Sequence, residues 1–179
     1  MKMPRYYTGF RDFAYKISGG TMTPLKGAQK LSFATQSASR ELTMRVGSGA
    51  AAYSESVETG RTADLSIVQL PVSFLVDVLG YTVDENGVLT RGVLHKPVHF
   101  SLFYEVQTDG EPIRTQLYDV CCVRPNFDVT SMTNKPSVDI RKLKLIVNAD
   151  LRNTKAYERS VSREDSAEMF NTWFGEVQT

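Results

Sequence analysis

Residues 70–91 read LPVSFLVDVLGYTVDENGVLTR, and the rest of the chain takes its meaning from this stretch. Pro71 suits the first helical position, where its missing N–H costs nothing, and Gly80 suits the left-handed residue that closes a helix. Together they bracket a helix of about three turns. Leu70, Val72, Phe74, Leu75, Val76, Val78 and Leu79 cover most of its circumference and leave Ser73 and Asp77 as a thin polar stripe. A helix that is apolar all round is covered all round. One sheet covers one face, so the remainder calls for a second sheet, a loop or another subunit. After Gly80, the segment Asp84–Gly87 (DENG) has turn composition and Val88–Arg91 has the makings of a short strand.

Strand patterns flank this helix on both sides. Residues 1–8 carry no period and include Pro4, which predicts a mobile arm. Phe10–Ile17 alternates, with Phe13, Tyr15 and Ile17 on one side. Lys30–Thr35 and Glu41–Val46 repeat the pattern, the latter setting Leu42, Met44 and Val46 against Glu41, Thr43 and Arg45. Residues 47–60, GSGAAAYSESVETG, show no period. They predict a long loop, and long loops in compact domains are usually functional or disordered. Alternation resumes at Thr62, with Ala63, Leu65 and Ile67 facing in.

Beyond the helix, Val98, Phe100, Leu102, Tyr104 and Val106 alternate with His99, Ser101, Phe103, Glu105 and Gln107. Asp109 and Gly110 then make a turn before Ile113–Val123 returns as the second arm of a hairpin. Asn126–Ser137 is a looser connection, and Val138–Leu151 a long strand candidate. A final helix is expected over residues 162–177, capped by Ser162, with Phe170, Trp173 and Phe174 anchoring its apolar face. The sum is a mainly β fold, an antiparallel sandwich or barrel with one short central helix and one C-terminal helix.

At 179 residues the chain fits one domain with its own core. It carries 21 basic and 20 acidic residues, a net charge of +1, so bulk charge points to neither nucleic acid nor membrane surface. Cys121 and Cys122 are adjacent, and strand neighbours face opposite ways, which predicts one core and one outward thiol. No stretch reaches the roughly 20 apolar residues of a membrane helix. The first ten residues lack an apolar signal core, so the chain is expected to stay in the cytoplasm or leave it without a secretory signal.

The chemistry-bearing motifs are absent. His95 and His99 are four apart, but Pro97 between them forbids a shared helix and no glutamate follows His95, which excludes the zinc-hydrolase pattern. No nucleophile elbow, phosphate loop or dinucleotide fingerprint occurs. Arg141, Lys142 and Lys144 read as a solvated strand face. No catalytic, metal or cofactor site is expected.

In ordered pieces the chain resembles the major tail tube proteins of long-tailed, non-contractile phages of Gram-positive bacteria. GFRDFAYKI with PLKGA is similar to that family's first strand and connection, LPVSFLVDVLGYTVDENGVL to its helix and following turn, VHFSLFYEVQTDGEPIRTQLYDVCCVRP to its central hairpin, and NTWFGEV to its closing helix. One departure is that Arg45, Val46, Gly47 and Ser48 stand where the family often carries an acidic, tyrosine-containing segment. The resemblance implies a structural virion protein that forms hexameric rings stacked as a tail tube, assembled in the host cytoplasm. Its partners would be copies of itself and the tape measure, tail terminator and tail initiator proteins, with DNA passing through the lumen and no membrane contact. It implies that Gly47, Ser48, Gly49, Tyr53, Glu55 and Glu58 meet the neighbouring ring, and that Leu70, Phe74, Leu75, Val78 and Leu79 serve helix and subunit packing. A tail-associated or surface β-sandwich that binds a receptor or carbohydrate is the alternative.

Overall fold

The computed structural model describes residues 7–46, 49–93, 96, 98–126, 140–151 and 156–174, with backbone alone for 40–46 and 49–54. The fold is mainly β, with one large antiparallel sheet that does not close on itself. The strands are β1 (Tyr7–Ile17), β2 (Thr23–Pro24), β3 (Ala28–Val46), β4 (Gly49–Ile67), β5 (Tyr81–Val83), β6 (Leu89–Arg91), β7 (His99–Thr108), β8 (Ile113–Cys122), β9 (Arg141–Asn148) and β10 (Glu158–Ser162). The helices are α1 (Val72–Asp77) and α2 (Ala167–Thr172). The main sheet runs β2, β1, β7, β8, β9, β4, β3, and β10 adds to β8; β5 and β6 pair separately.

The sheet forks at β8. Its residues 113–117 pair with β10 and its residues 119–122 with β9, while β7 runs along the other side. The expected hairpin of β7 and β8 is present, with Val106 opposite Ile113 and His99 opposite Cys121. Inward positions of β1, β4, β7, β8 and β9 enclose the main core, in which Tyr15, Leu65, Ile67, Leu102, Leu117, Leu143 and Leu145 are buried. α1 plugs it. Tyr15 Oη donates to Asp77 Oδ2 at 3.0 Å, and the Tyr15 and Phe74 rings meet edge to face at 5.1 Å. Asp77 of the polar stripe therefore meets a strand hydroxyl, while Ser73 stays exposed.

A second, smaller core lies on the opposite face of the sheet. Ala14, Phe103, Val161, Phe170, Trp173 and Phe174 form it beneath α2. A bulge in β1 serves both cores: Asp12 takes φ 55°, a conformation Asp tolerates better than most residues, and the register slips between Arg11 and Ala14. Phe13 consequently enters the main core and Ala14 the second.

Four expectations need correction. Residues 49–60 are not a loop: they belong to β4, which pairs with β3 up to Val46 opposite Gly49, and only residues 47 and 48 lie outside the described chain. Small and polar residues on an open ribbon need not alternate, so the strand left no periodic trace. Of the expected arm, residues 1–6 lie outside the described residues, whereas Tyr7 and Thr8 already belong to β1. α1 spans six residues rather than about three turns, with Pro71 as its N-cap; Val78 and Leu79 continue as a turn to Gly80 at φ 67°. The C-terminal helix begins at Ala167, capped by Ser166, whose side chain accepts from the Met169 N–H. Ser162 ends β10 and caps a turn instead, donating from its Oγ to Asp165 Oδ2 at 2.7 Å. The expected residues 175–177 lie outside the described residues.

Candidate assembly surface

Two 19-residue strands dominate the shape of the chain. β9 accompanies β4 only from Arg61 to Ile67. Beyond Gly60, β4 has no described partner except β3, and the two run on as an isolated ribbon of roughly 35 Å by strand rise. Its register sets Leu42 opposite Tyr53, Met44 opposite Ala51, and Arg40 opposite Glu55. Register slips between Gln36 and Ser37, where the ribbon leaves the body. β3 presents Leu31 and Phe33 to the core side, near Tyr104. Glu55, Val57 and Glu58 are exposed.

A second uncovered area lies around α1. Leu70, Phe74, Leu75, Val78 and Leu79, expected to serve helix and subunit packing, are all buried in the chain's own core. The outward positions are Val72, 57% exposed, and Val76, 36% exposed. Nearby in sequence, Val83 and Leu89, paired across β5 and β6, and Val88 are exposed as well. The turn between these strands forms as expected, with Asn86 N and Val88 N donating to Asp84 Oδ1 at 3.0 and 2.7 Å. Arg124 secures the end of α1, donating from Nη2 to the Leu79 carbonyl and from Nη1 to that of Gly92.

The anchors Phe170, Trp173 and Phe174 are buried as expected, but a charged network that sequence patterning missed holds them down. Glu105 sits on β7 with its side chain fully buried. Its Oε1 accepts from Arg11 Nε at 2.8 Å and Gln107 Nε2 at 2.6 Å, and its Oε2 from Arg114 Nε at 2.8 Å. Arg114 Nη1 donates to the Phe170 carbonyl at 2.6 Å, and its guanidinium lies 4.0 Å from the Phe170 ring centroid and 4.8 Å from that of Phe174. Burial by itself would raise the Glu105 carboxyl, but the hydrogen bonds from Arg114 and Arg11 outweigh it and hold the group below its ordinary 4.5. The one available signal was a lone carboxylate inside an apolar strand facing an arginine on its hairpin partner.

Of the sequence-highlighted residues with chemistry, His99 is exposed and paired through Nδ1 with Asp119 Oδ1 at 2.6 Å, and His95 lies outside the described residues. Cys122 is buried and Cys121 half-buried, both free. Burial pushes the Cys122 thiol up to about 12 and raises that of Cys121 as well. Neither is an activated nucleophile. Among the described residues no group of three or more His, Cys, Asp or Glu side chains is placed to hold a metal ion, and no helix is long and apolar enough to cross a membrane. Gly47 and Ser48 lie outside the described residues; Gly49 and Tyr53 are known as backbone positions in β4. Comparison with models of known protein families finds no match, and comparison with curated proteins finds none.

Proposed function

We propose that this chain is a structural subunit that assembles with copies of itself, in hexameric rings stacked into a tube of the phage-tail kind that conducts DNA. The observation that carries the reading is the ribbon of β3 and β4. A lone two-stranded hairpin is marginal in water, and a long unpaired margin invites pairing with another chain. A ribbon of about 35 Å whose strands, among the described residues, pair only with each other is an element suited to a neighbour. The exposed valines of α1 supply a second, different surface, and contact between unlike surfaces generates rings when the rotation closes. A charge of +1 suits a conduit, since a strongly basic lumen would retain DNA. In this reading the tape measure, terminator and initiator proteins of a tail are its further partners, and it works in the virion after assembly in host cytoplasm.

The test is to shorten the ribbon by replacing residues 38–57 with Asn-Gly, a two-residue turn that rejoins Ser37 and Glu58 where the register already pairs them. Sedimentation velocity over a concentration series should show large assemblies for the natural chain and a folded monomer for the shortened one. Equal assembly by both would remove the ribbon from the contact. A natural chain that stays monomeric but loses ligand binding on shortening would instead make it a receptor- or carbohydrate-binding module.

A further inference from the structure

Between the two free margins of the main sheet lies a cleft of about 640 Å³, within the usual range for ligand sites. Tyr104, Val106 and Ile113 line its floor, β1 from Tyr7 to Phe10 forms one wall, and Phe33 of β3 stands in the other. β2 reaches β1 only at Ala14 and Tyr15. Among the described residues, Tyr7–Arg11 therefore has a strand neighbour on one side alone, and so does all of β3. Among these residues, backbone groups on both walls lack a strand partner.

The polar groups in the cleft narrow the choice of occupant. Arg61 Nη1 lies 3.1 Å from Glu158 Oε2, and the Arg61 guanidinium sits 4.4 Å from the Phe33 ring centroid. Charge in the cleft is thus balanced, and a charged ligand would meet either Glu158 or Arg61 as a like charge. Arg61 Nε–H is buried and, among the described residues, has no hydrogen-bond partner. A buried donor lacking an acceptor is costly, and a neutral carbonyl relieves it without disturbing the ion pair. A small apolar molecule would leave the strand margins as they are, whereas an extended peptide supplies both the carbonyl and the ladder.

We propose that this cleft binds an extended, uncharged peptide segment of a partner protein, apolar at alternate positions, that adds a strand to the free margin of β1 and gives a backbone carbonyl to Arg61 Nε–H. The site is independent of the tube reading, since it needs only the folded chain.

The probe is acetyl-Val-Thr-Val-Thr-Val-amide, titrated into the full-length ¹⁵N-labelled chain. Saturable one-to-one binding is expected, with amide shifts concentrated at Tyr7–Arg11 and Leu31–Thr35 and hydrogen exchange at those amides slowed about tenfold or more. Arg61→Lys, which has no Nε–H, should weaken binding by about tenfold, the worth of one hydrogen bond. Val106→Trp should fill the cleft and abolish binding, with its melting curve checking the fold. Three results would overturn the proposal: no saturable shift at millimolar peptide, equal binding of a backbone N-methylated peptide, or protection of the same amides without peptide in proportion to chain concentration. The last would mean that a second copy of the chain fills the cleft.

Discussion

Replacing Glu105 by Gln tests whether one buried carboxylate holds the C-terminal helix in place. The amide keeps the shape and removes the charge. Arg114, whose side chain is 13% exposed, loses its charged acceptor; Arg11, 60% exposed, loses one too, but water screens it. The screened bond contributes at most about 1 kcal/mol and the sheltered one about 1.5–3 kcal/mol, so Glu105→Gln should cost about 1.5–4 kcal/mol in total. Glu105→Ala, which leaves Arg114 with no acceptor at that position, should cost about 3–5 kcal/mol. Urea unfolding followed through Trp173, the single tryptophan of the chain, reads the loss directly, as a lower midpoint at unchanged slope. Acid should act in the same direction. Glu105 is held below its ordinary value in the folded chain, so its contribution is complete above the unfolded pKa, close to 4.5, and is lost as pH falls through the lower folded value. The Gln variant should lack that part of the acid sensitivity. A Gln variant within about 0.5 kcal/mol of the natural chain, with the same acid transition, would refute the reasoning.

Three further outcomes follow from the same geometry. Phe74→Ala should destabilise the free chain by about 3–5 kcal/mol, whereas Val76→Arg, on the outer side of α1, should change its melting by no more than about 0.5 kcal/mol yet weaken self-association in sedimentation. Gly80, at φ 67°, should resist substitution: Gly80→Val is expected to cost about 1–2 kcal/mol, measurable by denaturant titration. Iodoacetamide near pH 9 should modify Cys121 alone in the folded chain and both thiols in urea, because Cys122 is buried with its thiol pushed up to about 12; mass spectrometry counts the adducts.

The parts of the fold legible in sequence were those whose local pattern is written by burial. β7 and β8 alternate because one face of each packs on the main core, and the Asp109–Gly110 turn fixed their join. Pro71 and Gly80 bracketed α1 correctly, although the helix between them proved shorter than its apolar run, since Val78 and Leu79 are buried in a turn. The ribbon was illegible from Gly49 to Gly60 because its side chains from Glu55 to Thr59 are exposed on both faces, and the period-two signal exists only where one face is buried. Ser162 misled because a serine that caps a turn and one that caps a helix make the same bond to the backbone N–H three residues on; here Ser162 does the former and Ser166 the latter. The network of Glu105, Arg11 and Arg114 spans 94 residues from Arg11 to Glu105, a distance over which no periodic pattern speaks. In the candidate assembly surface, α1 and its apolar excess were legible in sequence; the residues expected to serve helix and subunit packing lie in the chain's own core, which leaves Val72 and Val76 outside.

Negative-stain electron microscopy of the purified full-length chain, over a concentration series and with a tail initiator complex added as seed, tests the central claim most directly. The account predicts rings and hollow tubes of uniform width, lost when the ribbon is shortened. A monodisperse small species at every concentration, seeded or not, would contradict it.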